Sequence, residues 1–140
     1  DGAKGTFLNH SEHKFSEEDW GELKNAVRRS GEIGLKTLVF ASDLEELKKV
    51  LELRPDFLSY EPPELIASKE SSVASKPEVI KQAAEVCGEA GIPLIVGAGV
   101  KNGEDVRISL EQGAKGIAVS SDIVLSEDPR KELMELAKEF

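Results

Sequence analysis

A chain of 140 residues, 39% hydrophobic and 32% charged, has the length and composition of one folded domain rather than a disordered segment. Its net charge of −9 excludes broad binding to nucleic acid or anionic membranes, which need a basic field, and no apolar run approaches the roughly 20 residues that span a bilayer. One cysteine, Cys87, excludes an internal disulfide and fits a reducing, cytoplasmic compartment.

Short apolar runs alternate with amphipathic stretches. Gly5–Asn9 (GTFLN) predicts a first strand. Behind it Ser16 can cap a helix with Trp20, Leu23 and Val27 on one face, ending near Gly34. Leu35–Ala41 predicts a second strand, and Asp43 can cap a helix that turns Leu44, Leu47 and Leu51 inward. Phe57–Tyr60 predicts a third strand. The long Ser- and Pro-rich connection from Pro62 to Ala74 then has the character of a lid or binding loop. Ser75 and Pro77 start a helix striped by Val79, Ala83, Val86 and Ala90 and stopped at Gly91. Cys87 on that helix reads as a small buried residue. Ile92–Gly97 predicts a fourth strand, followed by a helix capped by Asn102, carrying Val106 and Leu110 and closed by Gly113. Gly116–Ser120 predicts a fifth strand, and Asp128-Pro129 opens a last helix with Leu133, Leu136 and Phe140 on one side.

Strands alternating with helices at this spacing imply an α/β fold with right-handed crossovers and a parallel sheet. Five strands can make an open doubly wound sheet or five-eighths of a (β/α)8 barrel, which needs eight strands and about 250 residues. In the second case both edge strands and the inner face are open, and another chain or segment supplies the rest. The sequence starts at Asp1 and its single methionine is Met134, so it is expected to be a piece of something longer.

Chemistry in such folds sits at the carboxyl ends of the strands. Those ends read Asn9-His10-Ser11-Glu12, Ala41-Ser42-Asp43, Glu61-Pro62-Pro63-Glu64, Gly97-Ala98-Gly99 and Ser120-Ser121-Asp122. His10, just before a possible short helix, is placed to act as an electrophile whose cationic form the helix dipole disfavours; the competing reading is a surface or capping histidine. His10-x-x-His13 has metal-pair spacing but no Cys or Asp cluster beside it, so no metal is expected. Glu61 ends a strand ahead of two stiff prolines, as a general base would, although a solvated strand-end carboxylate has the same appearance. The small-residue turns at Gly97-Ala98-Gly99 and Ser120-Ser121 leave backbone N–H groups open to a phosphate without help from Lys or Arg.

These residues resemble the triosephosphate isomerase family in its compact archaeal-type form. Gly5-Thr6-Phe7-Leu8-Asn9-His10-Ser11-Glu12 is similar to its fourth strand with the His-Ser-Glu signature. Tyr60-Glu61-Pro62-Pro63-Glu64-Leu65-Ile66 is similar to its sixth strand and the start of its mobile loop. Val96-Gly97-Ala98-Gly99-Val100 with Gly103-Glu104-Asp105-Val106, and Gly116-Ile117-Ala118-Val119-Ser120-Ser121, are similar to its seventh loop and eighth strand. The resemblance runs in family order from the fourth strand onward and implies a partial barrel of five βα units over residues 1–140. It implies interconversion of dihydroxyacetone phosphate and glyceraldehyde 3-phosphate, with Glu61 as base and His10 as neutral electrophile. By the same resemblance Ala67, Gly99, Ser120 and Ser121 grip the phosphate, and Asn9 and Glu12 support the site. It implies no cofactor, no nucleic-acid or membrane partner, and either self-association or a complementary N-terminal segment.

The sequence departs from the family pattern at three places. The family's Asn-x-Lys, whose Lys stabilises substrate charge, occurs nowhere in it; Lys14, Lys69 and Lys101 lie in strand-end loops of other context. The mobile loop's Gly-Thr-Gly reads Ala67-Ser68-Lys69, and His13 replaces the Arg after His-Ser-Glu. Two other readings stand beside the isomerase: a non-catalytic partial barrel, either a folding fragment or a scaffold that self-associates through its open edges, and a different phosphate-binding barrel enzyme.

Overall fold

A computed structural model describes residues 2–66 and 73–140. Five strands, β1 (Gly5–Leu8), β2 (Lys36–Ala41), β3 (Phe57–Tyr60), β4 (Leu94–Val96) and β5 (Gly116–Ile117), form one parallel sheet in the order β1-β2-β3-β4-β5. Between and after them run α1 (Trp20–Glu32), α2 (Leu44–Leu51), α3 (Pro63–Ile66), α4 (Pro77–Ala90), α5 (Gly103–Glu111), α6 (Ser121–Val124) and α7 (Pro129–Ala137), with 3-10 turns at Ser11–His13 and Val73–Ser75. A doubly wound sheet reverses its strand order at a switch point; this one does not. With right-handed crossovers, sequential order puts every connecting helix on the same face. The fold is therefore five-eighths of a (β/α)8 barrel, the second of the two architectures that the strand count allowed.

The two faces of the sheet differ accordingly. On one, the cross-strand row Leu8–Val39–Leu58–Leu94 and the row Ala41–Tyr60–Val96–Ile117 lie against Leu23, Val27, Leu47, Val50, Ile80, Ala83 and Val106 of the helices, forming the core. On the other lie Phe7–Leu38–Phe57 and Phe40–Ser59–Ile95–Gly116. Here Phe40 and Ser59 are buried, but Phe7 is 67% exposed and Leu38 and Ile95 are half-buried, so part of this inner face is an apolar surface open to solvent.

Most local signals act as the sequence implies. Asp43, Asn102 and Asp128 cap α2, α5 and α7 by accepting the N–H of Glu46, Asp105 and Lys131. Gly91 ends α4 in the left-handed conformation, with φ 70°, while the N–H of Ile92 returns to the Cys87 carbonyl. Cys87 is buried, and its surroundings push the thiol up to about 11. Several details differ. The cap of α1 is Asp19; Ser16 accepts the Asp19 N–H and closes the turn before it. The buried residues of α4 are Ile80, Ala83 and Cys87; of the expected stripe Ala83 is buried, Val79 and Val86 are half-buried against the core and Ala90 is exposed, because the helix turns the Ile80–Cys87 edge toward the sheet. On α7 only Leu136 is buried, while Leu133 and Phe140 are exposed.

Candidate active site

The carboxyl ends of the strands open into one cavity of about 1540 Å³. That exceeds the ordinary 300–1,000 Å³ of a small-molecule pocket because the sheet lining it is open. His10, Glu61, Gly99, Ser120 and Ser121 all line it, so the strand-end residues separated by up to 111 positions in sequence share one space.

His10 follows β1 through Asn9, which holds a left-handed φ of 60°. That conformation is cheapest for Asn among residues with a side chain, and this side chain is also fully used. Its Nδ2 donates to the Phe40 carbonyl and to Glu46 Oε1, each at 2.9 Å, and its Oδ1 accepts the Phe15 N–H at 2.9 Å. Asn9 thus ties β1, β2, α2 and the following loop at the base of His10. The His10 ring packs edge-on to Phe40, centroids 4.9 Å apart at 88°. Its Nδ1 accepts the Glu12 N–H at 3.4 Å as cap of the 3-10 turn. With Nδ1 accepting, the N–H of the neutral imidazole is on Nε2. That atom lies 3.9 Å from Glu61 Oε1.

Glu61 extends β3, its N–H bonded to the Ala41 carbonyl. Its residue is 7% exposed, and burial pushes its carboxyl above the ordinary range against the opposing pull of His10. The carboxylate fits only because β4 passes it at Gly97: a Cβ there would stand 2.8 Å from Glu61 Oε1 and 2.4 Å from Ser59 Oγ. Gly99 has φ 76°, and a Cβ on it would meet Leu65 Cβ at 3.1 Å and the Val73 N at 3.3 Å. The Val73 N–H also bonds the Gly99 carbonyl at 2.9 Å, so the turn at Gly99 is packed against both ends of the segment that follows α3. Ser120 and Ser121 stand exposed where β5 gives way to α6, a short helix the sequence reading did not separate from the approach to α7. Ala67 and Lys69 lie outside the described residues.

The remaining charges are unevenly placed. Among the described lining residues, the carboxylates of Glu12, Glu61 and Asp122 face one ammonium, that of Lys101. Lys14 turns elsewhere: its Nζ donates to Ser42 Oγ at 2.6 Å and to Glu46 Oε2 at 2.8 Å. Burial alone would push the Glu46 carboxyl up, but bonds from Lys14, Ser42 and Asn9 outweigh it and hold it below its ordinary value. Glu12 is largely exposed, its carboxylate 3.9 Å from His10 Nδ1.

Three contributors escape a reading of the sequence. Phe40 and Ser59 look like ordinary strand residues until the register places them beside His10 and Glu61. Asp105 carried a signal, an acid three residues after the Asn102 cap. Instead of reaching back to the cap, its buried carboxylate accepts the N–H groups of Lys101 and Ala74, each at 3.0 Å, joining the loop after β4 to the end of the lid segment.

Comparison with known proteins adds a family. Residues 1–139 match the family described as Triosephosphate isomerase. The chain is 41% identical over 137 residues to the triosephosphate isomerase of Thermoplasma volcanium, covering 98% of this chain and 63% of that protein. It is 40% identical over 138 residues to that of Cenarchaeum symbiosum, covering 98% and 61%. The chain thus spans about three-fifths of the length of these curated relatives. Among solved structures it superposes on a 3-hexulose-6-phosphate synthase with TM-score 0.69 at 17% identity, covering 99% of this chain and 63% of that one. It also superposes on thiamine phosphate pyrophosphorylase from Pyrococcus furiosus with TM-score 0.66 at 24% identity, covering 98% and 59%. These two likenesses speak to the fold alone.

Proposed function

Because the chain belongs to the triosephosphate isomerase family, we propose that it carries the proton-transfer and phosphate-binding part of an isomerase site for dihydroxyacetone phosphate and glyceraldehyde 3-phosphate. The observation that carries this reading is the pair at the mouth of the sheet. A half-buried imidazole Nε2 stands 3.9 Å from the carboxylate of a buried glutamate, in the same cavity as Gly99, Ser120 and Ser121. Moving a proton between adjacent carbons needs a base on one side and a donor where oxyanion charge develops. Glu61 takes the proton from the carbon beside the carbonyl and returns it to the neighbouring carbon. His10 donates from Nε2 to whichever oxygen bears the developing charge. Burial makes Glu61 a stronger base than a solvated carboxylate, and Phe40 and the Glu12 N–H hold the imidazole in orientation. The N–H groups of Ala67, Gly99, Ser120 and Ser121 hold the phosphate, and Asn9 fixes the loop that presents His10. No electron changes hands, so the scheme needs no cofactor.

Among the described lining residues three carboxylates stand against one ammonium, an unfavourable field for a dianion. A preorganised charge-stabilising group is worth roughly 3–4 kcal/mol in a transition state, so the chain alone is a weak catalyst. Three more βα units close a barrel of eight strands. Five units in 140 residues use about 28 residues each, and three more of that size match the part of the relatives that this chain leaves uncovered. The open inner face around Phe7 favours a second reading, a partial barrel that associates without catalysis. Titration of the chain with dihydroxyacetone phosphate, followed by amide resonances, separates the two. The isomerase reading predicts saturable shifts at Gly99, Ser120 and Ser121 that unphosphorylated dihydroxyacetone does not reproduce. Absent or equal shifts with both compounds favour the scaffold.

A further inference from the structure

Glu46 stands in the first turn of α2, three residues after the Asp43 cap, where a carboxylate ordinarily reaches back to close the helix end. Here it reaches further. Its Oε2 accepts the Ser42 N–H at 2.8 Å, the Ser42 hydroxyl at 2.7 Å and the Lys14 ammonium at 2.8 Å, and its Oε1 accepts Asn9 Nδ2 at 2.9 Å. Four donors converge on a side chain that is 12% exposed, so the site needs a group that only accepts. A glutamine does not meet that need, because its amide N–H faces a donor in either orientation. Lys14 brings the opposing charge from the surface and also donates to Ser42 Oγ at 2.6 Å. Across the same hollow Lys49 is paired with Glu17 at 3.3 Å. A helix cap needs neither the Asn9 contact nor the Lys14 contact. Both lead to the turn before His10. Asn9 holds φ 60° there, and Glu46 takes one of its two amide hydrogens. The bond from the Glu12 N–H to His10 Nδ1 is long, 3.4 Å, so the setting of the ring depends on how the backbone delivers it.

We infer that Lys14 and Glu46 are positioning residues for His10: their ion pair keeps an ionised acceptor on Asn9, Asn9 keeps its left-handed turn, and the turn keeps His10 Nδ1 on the Glu12 N–H, with the Nε2 proton directed into the cavity. Without the ammonium, the Glu46 carboxylate is left largely buried with no opposing charge and swings toward water. Asn9 then has the Phe40 carbonyl and the Phe15 N–H alone to hold a conformation that is costly for a residue with a side chain. As that turn relaxes, Nδ1 leaves the Glu12 N–H and nothing fixes which ring nitrogen carries the proton.

This coupling rests on the reading of His10 as the electrophile, but its test requires no turnover. The ring nitrogens of the two histidines are followed by NMR, with both imidazoles neutral, in the 140-residue chain and in Lys14→Met, Lys14→Arg and Asp43→Ala. A fixed Nε2–H tautomer sets the two nitrogen shifts of a ring far apart; an exchanging mixture draws them together, and the exposed His13 supplies that reference within each sample. His10 shows the wide separation in the unmodified chain and in Lys14→Arg, which restores the cation, and narrows toward the His13 pattern in Lys14→Met. Lys14 is a surface residue, so Lys14→Met stays folded, as circular dichroism verifies. Asp43→Ala removes the cap of α2 but none of the four bonds to the Glu46 carboxylate; it lowers the thermal midpoint and leaves the His10 separation wide. An unchanged His10 pattern in Lys14→Met overturns the inference. So does narrowing in Asp43→Ala, which assigns the effect to helix stability, or equal narrowing in Lys14→Arg, which denies a role to the charge. Narrowing in Lys14→Met of a chain that does not bind triose phosphate leaves the coupling standing and removes the isomerase reading instead.

Discussion

At the scale of single residues, Glu61 is held against its own preference. Burial raises its carboxyl above the unfolded value, so whatever stability it contributes is present at acid pH and lost as pH rises through the folded midpoint. Glu61→Gln therefore raises the thermal midpoint at pH 7, and the gain disappears below about pH 4, where both proteins are uncharged at this position. Melting curves across that range check the sign; a destabilised Glu61→Gln at pH 7 contradicts it. The placement of His10 and Glu61 in one cavity was legible in sequence because each closes a strand, and the closing residues of parallel strands stand together at one end of the sheet. Phe40 and Ser59 were not, because their importance comes from cross-strand register: Phe40 meets His10 across β1–β2, and Ser59 shares the space over Gly97. A one-dimensional pattern carries no information about which residues a register brings together.

At the scale of elements, caps and stops were readable because they depend on neighbours within one turn. Asp43, Asn102 and Asp128 each accept the N–H three positions on. Helix faces were less so. Which edge of α4 is buried depends on how the helix lies on the sheet, and the shift from Val79 to Ile80 is set there. The turn after β4 shows an element built around absent side chains. Gly97 makes room for the carboxylate, and Gly99 combines a left-handed φ with contact to Leu65 and Val73. Gly97→Ala places a methyl group against Ser59 Oγ and the Glu61 side chain and costs about 1–3 kcal/mol by overpacking. It also displaces the Glu61 carboxylate. Denaturant unfolding reads the first effect and the Glu61 carboxyl resonance the second; an unchanged chain in both measurements contradicts the close packing described for β3 and β4.

At the scale of the whole molecule, sequential strand order decides the architecture and leaves its consequences exposed. The sheet has two edges, at β1 and β5, and an inner face carrying Phe7, Leu38, Phe57 and Ile95. Strand–helix alternation by itself does not choose between a doubly wound sheet and a barrel segment; the family resemblance chose the partial barrel, and the sequential pairing order bears it out. The net charge of −9 constrains what the open site does. On the proposed function, a phosphate held by backbone N–H groups tolerates an acidic protein, whereas enediolate charge beside the carboxylates of Glu12, Glu61 and Asp122 needs a cation, and Lys14 is engaged with Glu46. On the proposed function this chain holds the base and electrophile of an isomerase, and the charge-stabilising lysine belongs to three further βα units. The decisive measurement is isomerase turnover of the chain mixed with a separately expressed segment carrying the family's first three βα units and its Asn-x-Lys. Turnover is expected well above that of either piece and reduced about 10²–10⁴-fold by Glu61→Gln in this chain. Turnover that survives Glu61→Gln, or a stable complex of the two pieces with no turnover, would contradict it.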